Sequence, residues 1–309
     1  MDVTDFAARA ARAAGLPDEP ASQPDIDGNV NHVTVLGTGA DRIVVRVAQA
    51  GQHSDFALES WCMARAAEAG LGVPEVLWLG EVDGRPVMVQ RYVDGANGDS
   101  VPRLQQWRML GEFARRIADV PLPLDAPDGL FSRFGRDLPA AWEAHVDYNL
   151  AALSSGDRLI ALGVYAPGET SPLRDLLTEA RALPLRFGLS HGDLSPRNLR
   201  VDRGHEPVLI DWGGAAAGPV PVTDLIHLIS LRPSMGEPAD FALSELADGW
   251  GEAIDPRALS LCRLVSTLDL VRWALERAPD RLDEMVSAGR EEVSSFMSSG
   301  REGAVRRTR

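Results

Sequence analysis

Strand-like and helix-like patterns occupy separate stretches of this chain, and that segregation constrains the fold more than any single residue does. Asn31 to Leu36 alternates and carries β-branched side chains, turns at Gly37-Thr38-Gly39 and resumes from Arg42 to Val47, which predicts an antiparallel hairpin. A helix capped by Ser54 and running to about Ala69 follows, closed by Gly70 and Gly72. Two more strands, Val76 to Glu81 and Val87 to Tyr92, join around Asp83-Gly84, and the polar stretch Asp94 to Ser100 breaks the pattern. Beyond it the periodicity is helical over 104–118, 140–153, 173–182, 223–230, 258–277 and 281–297. One β-ribbon interrupts this, Leu199 to Val201 and Val208 to Ile210, with Asp202-Arg203-Gly204 in its turn. The expected fold is α+β: a small antiparallel lobe with one helix over 1–95, then a larger, mainly helical lobe over 96–309. The Gly- and Arg-rich tail 298–309 is expected to be disordered, and the N-terminus reads as a short amphipathic helix with no export signal.

Composition removes several chemistries. All 31 basic residues are Arg and the chain has no Lys, so a Walker A phosphate loop and Schiff-base catalysis are excluded. Cys62 and Cys262 form no CxxC pair, which argues against a disulfide framework or zinc knuckle and fits a reducing cytoplasm. A net charge of −14 disfavours nucleic acid and anionic lipid as partners, and it draws cations as readily as it serves solubility. No apolar run approaches the roughly 18 residues that span a bilayer. A monomer or dimer is expected.

The segment His191-Gly192-Asp193-Leu194-Ser195-Pro196-Arg197-Asn198, followed after the ribbon by Ile210-Asp211-Trp212, carries the chemistry. Phosphoryl transfer needs a carboxylate to align an attacking hydroxyl and take its proton, and oxygen ligands to hold Mg²⁺ against phosphate oxygens. Asp193 suits the first role, and Asn198 with Asp211 the second. Taken singly, Asp193 would cap a helix and Asn198 would sit in a turn. The two together, with a hydrophobic strand ending in Asp, form a specific combination.

At these residues the sequence resembles the aminoglycoside phosphotransferase and choline kinase-like superfamily, small-molecule relatives of the protein kinases, and the resemblance covers nearly the whole chain. It implies a protein kinase-like fold, ATP or GTP as donor, and Gln90, Arg91 and Tyr92 beside the adenine. It also implies a strand Lys paired with a helix Glu and the α/β-phosphates. Here Arg46 and Glu59 hold those positions, a departure because a planar guanidinium is not equivalent to an ammonium. The loop Asp27 to Asn31 matches the nucleotide-covering loop, with Gly28 and Asn31 as candidates. Asp224 matches an Asp that braces the catalytic loop, although a helix-start Asp reads equally well, and His191 is expected to be structural. Gly192 and Ser195 stand where a protein kinase has Arg and Lys, and no activation segment follows Asp211, so the acceptor is expected to be a small molecule.

Two rival classes remain. Gly188-Leu189-Ser190-His191-Gly192 matches the nucleophile elbow of a serine hydrolase, although a Pro loop and ribbon follow it in place of a helix. A non-catalytic kinase fold that only binds ligand is the other. For the acceptor, Glu143, Asp147 and Asp269 could meet ammonium groups. The expectation is an aminoglycoside or other cationic antibiotic, in resistance or self-protection, with choline-like, sugar or homoserine-type metabolites as alternatives.

Overall fold

The computed structural model describes residues 3–17, 20, 26–27, 31–49, 54–201, 206–226, 228 and 239–307. The chain is α+β, and it divides into two compact units that are not sequential halves: Met1–Leu130 with Gly188–Ala217 and His227–Ala253, and Phe131–Phe187 with Gly218–Ile226 and Ile254–Arg309. This division differs from the one expected at 95. Long-range pairing draws the segment around Asp193 and the helix Ala239–Trp250 into the unit that begins at the N-terminus.

In the first unit, strands β1 (Ile26–Asp27), β2 (Asn31–Leu36), β3 (Ile43–Ala48), β4 (Val76–Val82) and β5 (Arg85–Arg91) form one antiparallel sheet in the order β1-β2-β3-β5-β4. Strand alternation turns Ile43, Val45 and Val47 to one face, where Phe6, Ala7, Ala10 and Ala11 of helix α1 (Val3–Ala13) cover them. Arg46, paired in register with Val33 and Met88, faces the other way. There it meets helix α2 (Phe56–Glu68), which begins one residue later than Ser54 would cap it. The Asp55 carboxylate accepts the Leu58 N–H and so takes the capping role.

Helix α3 (Arg103–Ala118) packs against Ala239–Trp250, a helix not among those expected above. The contact explains two helical glycines. A Cβ on Gly111 would lie 2.3 Å from the Leu246 carbonyl oxygen, and one on Gly249 would lie 2.0 Å from that of Arg108. Glycine costs about 1 kcal/mol of helix propensity relative to alanine, and here it permits backbone-to-backbone approach.

The ribbon Leu199–Val201 with Val208–Leu209 forms as expected and gains a third strand, Ala96–Asn97. Its turn at 202–204 and the candidate Gly28 lie outside the described residues. Arg186–Ser190 and Ala216–Val220 are also strands. Each has a glycine at its centre and only Ala216–Val220 is built mainly of small residues, so neither shows the β-branched alternation that marks a strand in sequence.

The second unit is helical: Leu138–Ala152, Arg158–Ala161, Thr170–Arg181, residues 222–226, Pro256–Arg277 and Leu282–Arg307. The last helix runs through most of the tail expected to be disordered, because Ser298 to Arg307 contains no proline and isolated glycines only weaken a helix. Inside this unit Arg272 forks onto Asp157 at 2.6 and 2.9 Å and reaches Asn149 Oδ1 at 3.1 Å. Burial pushes the Asp157 carboxyl up, but hydrogen bonds from Arg272, Tyr165 and the Leu159 N–H outweigh it and hold it below the usual range. No helix among the described residues is long and apolar enough to cross a membrane.

Candidate active site

The His191–Asn198 segment starts at the end of a buried strand, where Ser190 is fully enclosed and its hydroxyl donates to the Ala216 carbonyl at 2.9 Å. Gly192 follows at φ +79°, and a Cβ there would sit 1.9 Å from the Gly214 carbonyl oxygen. Only glycine fits this turn. The fully buried His191 ring stands edge-on to Trp212, with centroids 4.9 Å apart. Its Nδ1 accepts the Asp193 N–H at 3.3 Å, which leaves Nε2 to donate to the Ile210 carbonyl at 3.1 Å. Burial lowers its pKa to about 4, so the ring is neutral at pH 7. His191 thus ties the Asp193 loop to the Asp211 segment, and Ser190 and His191 share no nucleophile–base geometry of the hydrolase kind.

Pro196–Asn198 form a single 3₁₀ turn closed by the Asn198 N–H on the Ser195 carbonyl at 3.0 Å. The turn folds Asn198 back on the loop, where its Nδ2 donates to the Asp193 carbonyl at 2.8 Å and to Asp193 Oδ2 at 3.0 Å. The Asn198 carbonyl in turn accepts the Ile210 N–H at 2.8 Å, which sets Asp211 beside it. Asp211 itself is left-handed, at φ +63° and ψ +64°, a strained setting for a non-glycine residue that recurs at functional sites.

Arg46 completes the cluster. It pairs with Glu59, which is 3% exposed, and its second nitrogen reaches Asp211 Oδ1 at 3.0 Å. Burial pushes the Glu59 carboxyl up, and the Arg46 charge and hydrogen bond oppose that push. Burial is the larger influence, so the carboxyl stays above its usual range despite the guanidinium beside it.

Each of the three oxygen-bearing residues keeps one oxygen without a hydrogen bond to any described residue: Asp193 Oδ1, Asn198 Oδ1 and Asp211 Oδ2. Among the described residues no group of three or more His, Cys, Asp or Glu side chains is placed to hold a metal ion. One carboxylate and one amide carbonyl are nevertheless the hard, sparse donor set that suits Mg²⁺ when a nucleotide's phosphates and water complete its shell, so these residues fit the ion.

The other candidates are placed less directly. Asn31 Oδ1 accepts from the Ser54 hydroxyl at 2.6 Å. Gln90 is buried, with Nε2 3.4 Å from Met63 Sδ, so its side chain turns to α2. Arg91 pairs with Glu75 at 3.3 Å, and the Tyr92 ring lies under Arg42, 3.9 Å from its guanidinium carbon. Ser195 is buried and its hydroxyl makes no hydrogen bond to a described residue. Asp224 is buried within the second unit. The three acceptor-side carboxylates are all engaged there: Glu143 and Asp147 by Arg181 at 2.7 and 2.9 Å, and Asp269 by Arg133 at 2.9 Å and His145 at 3.4 Å. One contact was not anticipated: Arg197 Nη2 lies 2.8 Å from Asp193 Oδ2, and the only sequence signal for it is the four-residue spacing within one loop.

The model of the phosphotransferase enzyme family matches residues 23–262, well over half of the chain. The chain belongs to that family. Its fold is that of solved kinases at low sequence identity. The macrolide 2′-phosphotransferase MphH from Brachybacterium faecium is 19% identical, with 96% of this chain and 98% of that one covered at a TM-score of 0.62. The microcompartment-associated aminopropanol kinase gives the same identity, coverage and score. A thermostable mutant of the aminoglycoside phosphotransferase APH(4)-Ia, solved with AMP-PNP and hygromycin B, is 18% identical with 97% and 99% covered at a TM-score of 0.63. No curated protein matches this phosphotransferase in sequence.

Proposed function

We propose that this phosphotransferase moves the γ-phosphoryl group of ATP or GTP to a hydroxyl of a small molecule, with Asp193 as base and Asn198 and Asp211 as magnesium ligands. The observation that carries the reading is the single polar cluster in which Asn198 holds Asp193 while Arg46 joins Glu59 to Asp211. Asp193 presents Oδ1 to the acceptor hydroxyl and takes its proton as the oxygen bonds to phosphorus. Asn198 fixes that carboxylate's rotamer, and neutral His191 fixes the loop beneath it. Glu59 holds the Arg46 guanidinium in place, so that its remaining N–H groups meet the nucleotide phosphates without reorganising. Mg²⁺, when bound, neutralises and orients the phosphate oxygens.

For the acceptor we propose an aminoglycoside or another cationic, hydroxylated antibiotic, a reading supported by the net charge of −14. A second reading, an uncharged or singly charged metabolite, is favoured by the arginines that already pair with Glu143, Asp147 and Asp269. The test is a mass-spectrometric screen with ATP and GTP against hydroxylated antibiotics, amino alcohols and amino sugars, beside an Asp193→Ala control. Phosphorylated product that depends on Asp193 is the expected result. Product that persists undiminished in the control removes Asp193 as the base.

A further inference from the structure

Asp193 is gripped by two residues of its own loop. Asn198 Nδ2 and Arg197 Nη2 both reach Oδ2, at 3.0 and 2.8 Å, and Oδ1 is left to the acceptor side. The amide contact is accounted for by the need to orient a base. The guanidinium contact is not, because a base that must attract a proton gains nothing from a permanent positive charge on its carboxylate. We propose that Arg197 is a catalytic residue: it holds Asp193 in the resting site and carries its positive charge to the phosphoryl group during transfer. The inference rests on the phosphotransferase reading above.

The charge balance of the step supports this role. The acceptor O–H bond breaks and its proton passes to Asp193, while the acceptor oxygen bonds to phosphorus. The bond from phosphorus to the bridging oxygen breaks, and the nucleoside diphosphate leaves with that electron pair. Negative charge therefore leaves the carboxylate that anchors Arg197 as it spreads over the phosphoryl oxygens. A guanidinium has five donors in a planar fork, so it keeps one contact while making another and stays protonated throughout. Positive charge held where negative charge develops lowers the barrier to such a transfer more than any other single effect.

Two other candidates, Arg46 and Ser195, are less suited to following the transferred group. Arg46 is tied to Glu59 and Asp211, with its side chain only 8% exposed, whereas the Arg197 side chain is 60% exposed and its guanidinium pairs with Asp193 alone among the described residues. Ser195, two residues past the base, is uncharged and buried, and the chain contains no Lys to serve instead. An ordinary exposed i,i+4 ion pair would stabilise little and have no such role.

Calorimetric titration of the full-length protein separates the two. Wild type and Arg197→Met are titrated with ADP or GDP in Mg²⁺, with and without fluoroaluminate, which stands in for the phosphoryl group in flight. Arg197→Met is expected to bind the diphosphate within about twofold of wild type and to lose at least about tenfold of the extra affinity that fluoroaluminate confers, with Arg197→Lys recovering part of it. Equal tightening in wild type and Arg197→Met overturns the proposal, and so does a parallel loss of diphosphate affinity, which marks a structural role. A wild type that binds neither diphosphate overturns the phosphotransferase reading itself.

Discussion

Arg46 and Asp211, 165 residues apart in the chain, meet at 3.0 Å while the same guanidinium holds the buried Glu59. A single side chain thereby pairs with both acidic groups that flank it. In this lysine-free chain the strand position thus carries a fork that bridges two carboxylates, where an ammonium offers a point charge on a flexible stem.

Arg46→Ala is expected to destabilise the protein by roughly 3–5 kcal/mol, because it strands Glu59 away from water. Arg46→Ala/Glu59→Leu should recover most of that loss without recovering activity. Urea unfolding of the two variants checks the first statement, and turnover checks the second. Arg46→Ala unfolding with the wild-type midpoint would show that the pair is not coupled to the fold.

His191 sets a pH dependence of stability. Its folded pKa of about 4 lies below the unfolded value of 6.5, so between those limits the unfolded chain binds more protons. Stability is therefore fully present above the unfolded pKa and is lost as pH falls through this window, by about 3 kcal/mol from this group. His191→Gln should flatten that part of the profile. Urea midpoints taken at pH 7, 5.5 and 4 provide the comparison, and parallel profiles would refute the assignment.

Gly192→Ala places a methyl group on the Gly214 carbonyl and forces a left-handed backbone on alanine. A loss of at least about 2 kcal/mol is expected, with phosphoryl transfer abolished because the Asp193 loop must shift. Thermal melting and the acceptor screen are the two measurements, and a variant with wild-type melting would show that the turn tolerates a Cβ.

Arg272→Met should cost roughly 3–5 kcal/mol by leaving Asp157 buried without its cation. The paired change Arg272→Met/Asp157→Leu should be milder than the single one. Guanidinium unfolding of both distinguishes a coupled pair from two independent losses.

Much of this was legible in the sequence. Both hairpins of the first sheet followed from alternation broken at glycine turns. The long helices followed from periodicity, and residue type and spacing singled out Asp193, Asn198 and Asp211 as candidates. The helix Ala239–Trp250 was missed although Ala242, Leu246 and Trp250, all buried, recur at helical spacing. The strands at Arg186–Ser190 and Ala216–Val220 were missed because each is short, interrupted by glycine and without β-branched alternation.

The sequence by itself determined which functional groups are present and their order: a lysine-free phosphotransferase with one acidic loop residue, one amide and one acid after a ribbon. Local chemistry is enough for that, since residue types and turn positions are set within a few neighbours. Tertiary structure alone decided which charges meet. That Arg46 spans Glu59 and Asp211, that Arg181 and Arg133 occupy the expected acceptor carboxylates, and that His191 is neutral all depend on burial and on through-space distance between segments far apart in the chain.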